Sequence, residues 1–317
     1  MSSSLPALSV VVPNYNHGKY LDTSLSAIIK QSLRPIEVLV LDDASTDDSV
    51  EIIKRIAAQN PLVRLIQNEK NLGVMPNLNK GLELSCGDYV YIGSADDEVQ
   101  PGLFEKSLTL LARYPQAAMS CSVSEWHDAA SGLRWFMAAG MAEKPCYLSP
   151  QELVRLGRRG KLLIVTASAV FKRQPLLEAG RFHPELRWHA DWFAAFVPAL
   201  RYGVCYIPEP LSDFYLYSTS FYNRGRKTGE HFQVLTHLLD KLSSPACSDI
   251  APRIRDSAVL GLFGVPVLRL IMSRREYRQF LTPLLVSRCC RRSGELVAKK
   301  LLPRPLAQLA LRLLYNQ

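Results

Sequence analysis

The sequence predicts an α/β fold in which helices cover a central sheet, followed by a helical C-terminal extension. Two observations support this. Over residues 8–113, apolar β-branched runs alternate with segments of helical periodicity, which is typical of parallel strands joined by right-handed crossovers. After about residue 230 the pattern becomes helical and basic. With 317 residues, 48% of them hydrophobic and 21% charged, the chain is long enough to form a sizeable core.

The predicted elements follow one another along the first half of the chain. Buried strands are predicted over 8–14, 35–43, 62–68 and 88–94. Helices are predicted over 19–31 and over 102–113. Another helix is predicted from a cap at Ser45 or Thr46 to about Asn60, and a further one ends in the stretch closed by Gly87. The region from 115 to 215 is less regular, with short strands at 117–124, 162–171 and 203–207 and a helix near 191–201.

Polar side chains follow three of the four predicted strands. They are Asn14, Tyr15 and Asn16 after the first, Asp42 and Asp43 at the end of the second, and Asp96 and Asp97 after the fourth. Ligands of such sheets bind beyond the carboxyl ends of the strands, so we expect these clusters to meet at one edge. An adjacent pair of aspartates suits a divalent cation held against a phosphate. The alternative interpretation for both pairs is helix capping with favourable placement near the helix dipole.

Charge is unevenly distributed along the chain. The net charge is +9, and residues from Arg253 onward contain 13 Lys and Arg against 3 Asp and Glu. In the last segment an apolar face and a basic face are predicted, formed by Leu302, Leu306, Leu309, Leu313 and Leu314 and by Lys300, Arg304, Gln308 and Arg312 respectively. This tail could pack on the rest of the protein, form a homodimer contact, or attach peripherally to an anionic membrane. Nucleic-acid binding has only charge in its favour and is not expected.

Cysteine and histidine spacing argue against disulfides and zinc. The seven cysteines include no CxxC pair, which suits reduced thiols in a cytosolic protein. The six histidines show no ligand spacing.

The N-terminus lacks a basic region ahead of a long apolar stretch, so no signal peptide is expected. The longest apolar run, 258–272, contains Arg269 and is short for a membrane span. A cytoplasmic location follows.

Five sequence pieces together resemble family 2 glycosyltransferases. They are VVPNYN, LDDASTDDS, the NLG at 71–73 with Asn79 and Gly81 downstream, GDYVYIGSADD with PG after it, and HADWF at 189–193. Their order and spacing match through roughly residue 220. The resemblance implies the GT-A fold, a Rossmann-like αβα sandwich with a mixed central sheet. We therefore expect a catalytic domain over 1–230, with a nucleotide-sugar half (1–115) and an acceptor half (116–230), and a helical basic extension over 231–317.

The resemblance also implies roles for individual residues. Tyr15 would stack on the nucleobase and Asp43 would hydrogen-bond its edge, with Pro13, Asn16, Asn79 and Asp96 as further nucleotide-binding residues. Asp97 would be the direct ligand of Mn²⁺ or Mg²⁺. Asp191 would be the general base of a single inverting displacement. The implied donor is a nucleotide sugar, with uridine diphosphate as the favoured carrier, and the implied acceptor is a glycan or lipid-linked glycan. The plainer interpretations are that Tyr15 fills the core and that Asp191 simply starts a helix.

The sequence departs from the family pattern at several positions. Ala190 stands where many members have an acidic residue before the base, and Leu78 where an arginine is frequent. Tyr215 and Tyr217 stand where many members have an Arg-x-His element. Diphosphate contacts are therefore expected from Arg224, Arg226 and Lys227 instead. The QxxRW motif of processive synthases is missing after Asp191, which favours addition of a single sugar.

Two other classes of function remain open at this point. A sugar-phosphate nucleotidyltransferase has a similar domain but needs a glycine-rich, basic turn after the first strand, which this sequence lacks. A catalytically weak nucleotide-sugar or glycan binding protein is compatible with the missing Arg and His.

Overall fold

The computed structural model describes residues 6–217, 230–301 and 306. Its strands are β1 (Leu8–Asn14), β2 (Glu37–Asp42), β3 (Val63–Gln67), β4 (Tyr89–Ile92), β5 (Glu98–Val99), β6 (Met119–Asp128), β7 (Arg134–Met137), β8 (Cys146–Leu148), β9 (Ala169–Lys172) and β10 (Val204–Leu216). Its α-helices are α1 (Gly18–Ile29), α2 (Ser49–Gln59), α3 (Val74–Leu84), α4 (Leu103–Arg113), α5 (Pro150–Arg159), α6 (Arg173–Glu178), α7 (Ala190–Tyr202), α8 (His231–Leu242), α9 (Ala251–Ser257), α10 (Val265–Ser273) and α11 (Pro283–Leu301). Short 3₁₀ helices occupy Thr166–Ser168, Pro184–His189, Pro245–Cys247, Val259–Phe263 and Arg275–Phe280.

The strands of the described residues join in one mixed sheet. Its order is β3-β2-β1-β4-β9-β6-β10-β5, with β7 paired to β6 and β8 paired to β10. The first four strands pair in parallel, as their alternation with helices predicts. β9 runs antiparallel between β4 and β6, and β10 lies parallel to β6 and antiparallel to β5 and β8. The architecture is the GT-A fold, as expected from the resemblance.

Alternating side chains of the parallel strands supply two hydrophobic layers. On β1, Val10 and Val12 face the layer that contains the apolar residues of α1, α2 and α4. Val11 faces the opposite layer, which contains those of α3 and α7. Successive residues of a strand point to opposite faces, so helices cover both sides of the sheet and leave its carboxyl edge for polar loops.

The C-terminal helices share the second of these layers. Leu238 of α8, Ile271 of α10 and Cys289 of α11 belong to the same buried cluster as Val11 of β1. The C-terminal segment therefore has no core separate from the sheet in this part of the structure, and the predicted boundary at residue 230 stays a prediction. In the described residues, no helix combines the length and apolar character needed to cross a bilayer.

Three local predictions differ from the structure. Neither Ser45 nor Thr46 caps α2, because the Thr46 N–H donates to Asn16 Oδ1 (2.7 Å) and the helix begins only at Ser49. In the predicted strand 162–171 only the last residues pair, because a 3₁₀ turn precedes β9. The predicted strand 203–207 continues to Leu216, through register shifts in the segment that carries Pro208 and Pro210.

Candidate active site

The loops after β1 and β2 are hydrogen-bonded to each other. Asn14 Nδ2 donates to Asp42 Oδ1 at 2.8 Å and to Ser45 Oγ at 3.2 Å. Asp42 Oδ2 accepts the Ser45 N–H at 3.0 Å, and Asp42 is fully buried. Asn16 adopts a left-handed conformation (φ 56°), and its Oδ1 accepts the Thr46 N–H. Asp42 and Asn16 therefore fix the two loops against each other at the carboxyl edge of the sheet.

Asp43 binds a third loop at the same edge. Its Oδ1 accepts the Leu72 N–H at 2.8 Å and Asn68 Nδ2 at 3.0 Å, and its Oδ2 accepts the Gly73 N–H at 2.8 Å. Burial raises the pKa of Asp43, but hydrogen bonds from Leu72, Asn77, Asn68 and Gly73 outweigh burial and leave the pKa below its ordinary value. Asp43 is thus an ionised carboxylate, only 3% exposed, that holds the start of α3.

Tyr15 follows β1 directly beside this ionised group. The Asp43 N–H donates to the Asn14 carbonyl oxygen at 2.9 Å, so the chain leaves β1 and β2 side by side. The Tyr15 side chain is 42% exposed, which excludes the interpretation that it fills the core. Pro13, one residue before the strand end, is half-buried. The exposed Tyr15 and the buried Asp43 therefore follow neighbouring strand ends at the carboxyl edge of the sheet.

Asn79 is engaged within the protein. Its Nδ2 donates to the Phe182 carbonyl oxygen at 2.8 Å and its Oδ1 accepts the Phe182 N–H at 3.0 Å. The amide therefore ties α3 to the segment after α6. Each end of its amide keeps one further hydrogen-bonding position, so a nucleotide contact by Asn79 stays a prediction.

Asp96 and Asp97 line a pocket of about 210 Å³ beyond β4. The pocket is bounded by Tyr20, Thr23, Ser24, Asp96, Asp97, Glu98, Tyr215 and Tyr217. His17, in the loop after β1, has its Nδ1 4.0 Å from Asp96 Oδ1. The three polar clusters predicted from the strand ends therefore meet at one edge of the sheet. Tyr215 and Tyr217, which replace the family's Arg-x-His element, form part of the pocket wall.

The surroundings of Asp97 favour a bound cation. Asp97 is 8% exposed, and its Oδ1 accepts the Tyr215 N–H at 3.0 Å. Burial, and then the nearby Asp96 carboxylate, raise its pKa well above the usual range, and the Asp213 carboxylate adds to this. Among the described residues, no lysine or arginine lines the pocket of these two adjacent carboxylates. Such a pair fits Mg²⁺ or Mn²⁺, which prefer carboxylate oxygen ligands.

Asp191 lies in the first turn of α7. Asp191 Oδ1 accepts the N–H of the next residue, Trp192, at 2.7 Å, and Asp191 Oδ2 accepts the Thr166 hydroxyl at 3.3 Å. Burial raises the pKa of Asp191, and these two hydrogen bonds offset part of the increase. A partly exposed carboxylate with a raised pKa is a stronger base than an ordinary aspartate.

Tyr91 is influenced by Asp97 and is hydrogen-bonded to the segment that holds Asp191. The Tyr91 side chain on β4 is close enough to Asp97 for that carboxylate to raise the pKa of the phenol, after the larger effect of burial. The Tyr91 hydroxyl donates to the Ala167 carbonyl oxygen at 2.9 Å. Ala167 is next in sequence to Thr166, which donates to Asp191. Tyr91 of β4 is thus hydrogen-bonded to the residue beside Thr166, which is in turn hydrogen-bonded to Asp191.

Sequence analysis missed several residues of this region. Thr166 and Asn68 contact the site through the tertiary fold and belong to no motif, and Tyr91 lies within GDYVYIGSADD but is given no role there. His127 forms a group with Glu125 and Asp213 beside the pocket, although histidine spacing predicts no such set. These two carboxylates and the imidazole come from two strands far apart in sequence. The predicted diphosphate contacts Arg224, Arg226 and Lys227 lie outside the described residues.

Comparison with known proteins assigns the family. The family model described as "Glycosyl transferase family 2" matches residues 9–176, more than half of the chain. The chain belongs to glycosyltransferase family 2. Family 2 membership agrees with the strand-end carboxylates described above and identifies the protein as a glycosyltransferase.

Individual relatives of this family 2 glycosyltransferase are similar over different lengths. The uncharacterized glycosyltransferase YibD of Escherichia coli is 29% identical over 257 residues, which are 77% of this chain and 73% of the relative. The glycosyltransferase GlyG of Streptococcus pneumoniae is 39% identical over 98 residues, about a third of either chain (31% and 33%). The strongest identity is therefore confined to a shorter segment.

Two solved structures share the fold. Staphylococcus aureus TarS 1–349 in complex with UDP is 17% identical, with a TM-score of 0.60 over 96% of this chain and 86% of TarS. The Pyrobaculum calidifontis mannosyltransferase PcManGT, in complex with GDP-Man and Mn²⁺, is 18% identical, with a TM-score of 0.57 over 98% of this chain and 86% of that enzyme. Coverage of almost the whole chain extends the likeness beyond the matched family segment.

Proposed function

We propose that this protein is an inverting, metal-dependent glycosyltransferase that moves one sugar from a nucleoside diphosphate sugar to a hydroxyl of a glycan or lipid-linked glycan. One observation carries the proposal. Asp96 and the buried Asp97 share a pocket at the carboxyl edge of the sheet. Tyr91, on the strand before them, donates to Ala167, which is next to Thr166, and Thr166 donates to a carboxylate of raised pKa, Asp191.

The donor would lie across the strand ends. In the proposal Tyr15 stacks on the base, and Asp43, Asn16 and Pro13 form the rest of the base and ribose contacts. Asp97 would hold Mn²⁺ or Mg²⁺ and Asp96 would support it, and the ion would offset negative charge on the departing diphosphate. Structural neighbours in complex with UDP and with GDP-Man and Mn²⁺ support this donor class. Uridine diphosphate is the proposed carrier.

Asp191 would act as the general base. Its carboxylate accepts the proton of the acceptor hydroxyl while that oxygen attacks the anomeric carbon, and the bond to the diphosphate breaks on the opposite side. One displacement inverts the configuration. A raised pKa suits this role, because a base is most effective when its pKa lies nearer to the working pH. Arg224, Arg226 and Lys227 remain the proposed diphosphate contacts.

The proposed setting is surface polysaccharide assembly at the inner face of the cell membrane. The basic C-terminal segment would attach the protein peripherally to anionic lipid, where a lipid-linked acceptor is found. A homodimer through the same segment is the competing proposal. A protein that binds nucleotide sugars without transferring them would retain the donor site but make no product.

The test separates donor binding from transfer. Calorimetry with UDP and Mn²⁺ is compared for wild type, Asp97→Asn and Asp191→Asn, and transfer is followed with acceptors found by screening. We expect Asp97→Asn to lose the metal-dependent part of UDP affinity, and Asp191→Asn to keep that affinity while losing transfer by about 10²-fold or more. Asp42→Asn is the structural control, expected to lower stability rather than metal dependence. Binding without any transfer by wild type would favour the non-catalytic interpretation.

A further inference from the structure

Three side chains next to the donor pocket converge from strands β6 and β10. His127 Nε2 lies 3.5 Å from Asp213 Oδ1 and 4.0 Å from Glu125 Oε2, and one ligand atom from each residue lies within 4.8 Å of the others. We propose that Glu125, His127 and Asp213, here called the cross-strand site, bind one divalent transition-metal ion. This site is distinct from the Asp96 and Asp97 pair and does not depend on the proposed function.

Strand register brings the three residues together. Asp213 pairs with Glu125 and Tyr215 pairs with His127 across the parallel β6–β10 ladder. Residues two apart on a strand point to the same face, so Glu125, His127, Asp213 and Tyr215 share one face of the sheet. These are rigid elements, which hold ligand atoms more closely than loops do.

The imidazole Nε2 of His127, at the centre of the site, has no hydrogen-bond partner among the described residues. The His127 side chain is 13% exposed, and its Nε2 is buried. A histidine held only as an ion-pair partner would direct an N–H at one of the carboxylates, and the 3.5 Å contact with Asp213 is not aligned as a hydrogen bond. A buried imidazole nitrogen without a hydrogen-bond partner, near two carboxylate oxygens, is the arrangement of a metal ligand set.

The distances suit a shared ion. With bonds of 2.0–2.2 Å, two ligands of a tetrahedral ion lie about 3.4 Å apart, close to the 3.5 Å between His127 and Asp213. Glu125 Oε2, which lies 4.0 Å from His127 Nε2, must approach by at least about 0.6 Å, and its side chain is 28% exposed. An imidazole with two carboxylates selects zinc, manganese or iron over magnesium and calcium.

Outer contacts already orient two of the ligands. Gln100 Nε2 donates to Asp213 Oδ2 at 2.6 Å, which leaves Oδ1 directed at His127. The Tyr215 ring stacks on His127 with ring centres 4.8 Å apart and an angle of 24° between the planes. Hydrogen-bonded and packed ligands of this kind are characteristic of metal sites, because they fix ligand geometry before the ion binds.

An ion at the cross-strand site would connect β6 to β10. Since β10 carries Tyr215, whose N–H donates to Asp97, the ion would brace the wall of the donor pocket without touching the donor. Arg134 faces His127 across the β6–β7 ladder, but its side chain is exposed and leaves the buried nitrogen open.

The experiment measures metal binding in the absence of nucleotide. Full-length protein stripped with a chelator is titrated with Zn²⁺ and, for its visible spectrum, Co²⁺. We expect one equivalent to bind to wild type, and His127→Gln to weaken binding by at least about tenfold. The matched control is His17→Gln, the histidine beside Asp96, which should bind like wild type. Asp97→Asn should also keep this equivalent, since the proposed donor-site ion requires different ligands.

Thermal unfolding distinguishes a variant that has lost metal binding from one that has failed to fold. Without metal, His127→Gln should melt within a few degrees of wild type, and added Zn²⁺ should raise the melting temperature of wild type only. If His127→Gln does not fold, Glu125→Gln takes its place, because Glu125 is the most exposed of the three ligands. Absence of a bound equivalent in wild type, or equal binding by wild type and the ligand variants, overturns the proposal. If Asp97→Asn loses UDP binding but still binds one equivalent of Zn²⁺, the result supports the cross-strand site.

Discussion

Thr166 adjusts the basicity of Asp191. Its hydroxyl donates to Asp191 Oδ2 and so favours the ionised carboxylate, against the effect of burial. In Thr166→Val that hydrogen bond is lost, and the pKa of Asp191 rises further. Because the proposed base, Asp191, must be ionised, we expect activity to be lost as pH falls through this pKa, so the acid limb of kcat/KM should move to higher pH. A hydrogen bond of ~1 kcal/mol predicts about fivefold lower activity on that limb.

The control for this prediction is Thr166→Ser, which keeps the hydroxyl and should keep the wild-type limb. Both variants are measured over the full pH profile, with UDP affinity recorded in parallel. An acid limb that is identical in wild type and Thr166→Val would remove Asp191 from the role of base.

Asp43 contributes to stability as an ion. Its pKa is lowered in the folded state, so its contribution is present above the unfolded pKa of about 4 and is lost as pH falls through the folded pKa. Asp43→Asn leaves one of the Leu72 and Gly73 N–H groups with a weaker, neutral acceptor and the other facing an amide NH2 group that cannot accept. We expect a loss of about 1.5–3 kcal/mol in urea unfolding at pH 7, shrinking at pH 3.

The matched control for Asp43 is Asp22→Asn, an exposed carboxylate paired with Arg55 at 2.7 Å. A surface pair of this kind is worth about 0–1 kcal/mol. Equal losses in the two variants, or a difference that does not change with pH, would contradict the assignment of Asp43 as the anchor of the 72–73 turn.

Sequence reasoning finds some of these residues and not others, for a physical reason. Asp43, Asp96 and Asp97 are predictable as neighbours because the carboxyl ends of parallel strands meet at one edge of a sheet. Thr166 and Tyr91 are not, because they act through contacts between segments distant in sequence. The cross-strand site depends on a ladder whose register shifts between Ile207 and Ser212, which no local pattern specifies.

At the scale of elements, α3 lies unusually close to the sheet. A Cβ at Gly81 would lie 2.3 Å from Val11 Cγ1 and 2.9 Å from Leu41 Cδ1. In an isolated helix, Gly→Ala gains roughly 1 kcal/mol. Here we expect Gly81→Ala to destabilise the protein by about 1–3 kcal/mol, because α3 must move away from β1 and β2.

Gly81→Ala should also weaken UDP binding, since α3 begins at the turn that Asp43 holds. Glu83→Ala, an exposed position on the same helix, is the control and should change stability only slightly. Denaturant unfolding and UDP calorimetry check both variants. A Gly81→Ala protein more stable than wild type would show that the helix adjusts freely and that the close approach has no structural role.

The predictability of elements follows their length. The predictions of β1 and β2 agree with the structure within a few residues, because burial on both faces leaves a continuous hydrophobic pattern. The edge strand β3 is partly exposed, and its prediction agrees equally well. β5 has two residues and β8 has three. Strands this short pair only because the fold places them beside β10, so their sequences carry no pattern that predicts them.

At the scale of the whole molecule, the C-terminal helices belong to the body of the protein. Val267, Ile271, Phe280 and Leu285 are buried in the layer shared with the sheet. Ending the chain near residue 250 would expose this layer, so such a truncation tests folding rather than membrane attachment. The informative truncation ends after Arg292, beyond the last of these buried residues.

The last segment is expected to attach the protein to anionic lipid. Lys299, Lys300, Arg304 and Arg312 supply positive charge there, each worth ~1 kcal/mol near a negative surface. We predict that wild type sediments with anionic liposomes, that ~0.5 M salt weakens this by screening, and that changing all four residues to Gln reduces partitioning by on the order of 10²-fold or more. The chain ending at Arg292 should fold and fail to sediment.

The control must remove the same charge from another place, because net charge alone attracts any basic protein to an anionic surface. The control variant lowers the net charge by the same amount and leaves the tail intact, because it changes to Gln the four residues Lys30, Lys54, Lys70 and Lys144. If partitioning depends on the tail, this variant sediments nearly like wild type. Equal loss in the two quadruple variants would indicate attraction by net charge only. If wild type instead sediments equally with neutral and anionic vesicles, charge does not attach the tail to lipid. The role of the tail would then be packing through its apolar face or formation of a homodimer.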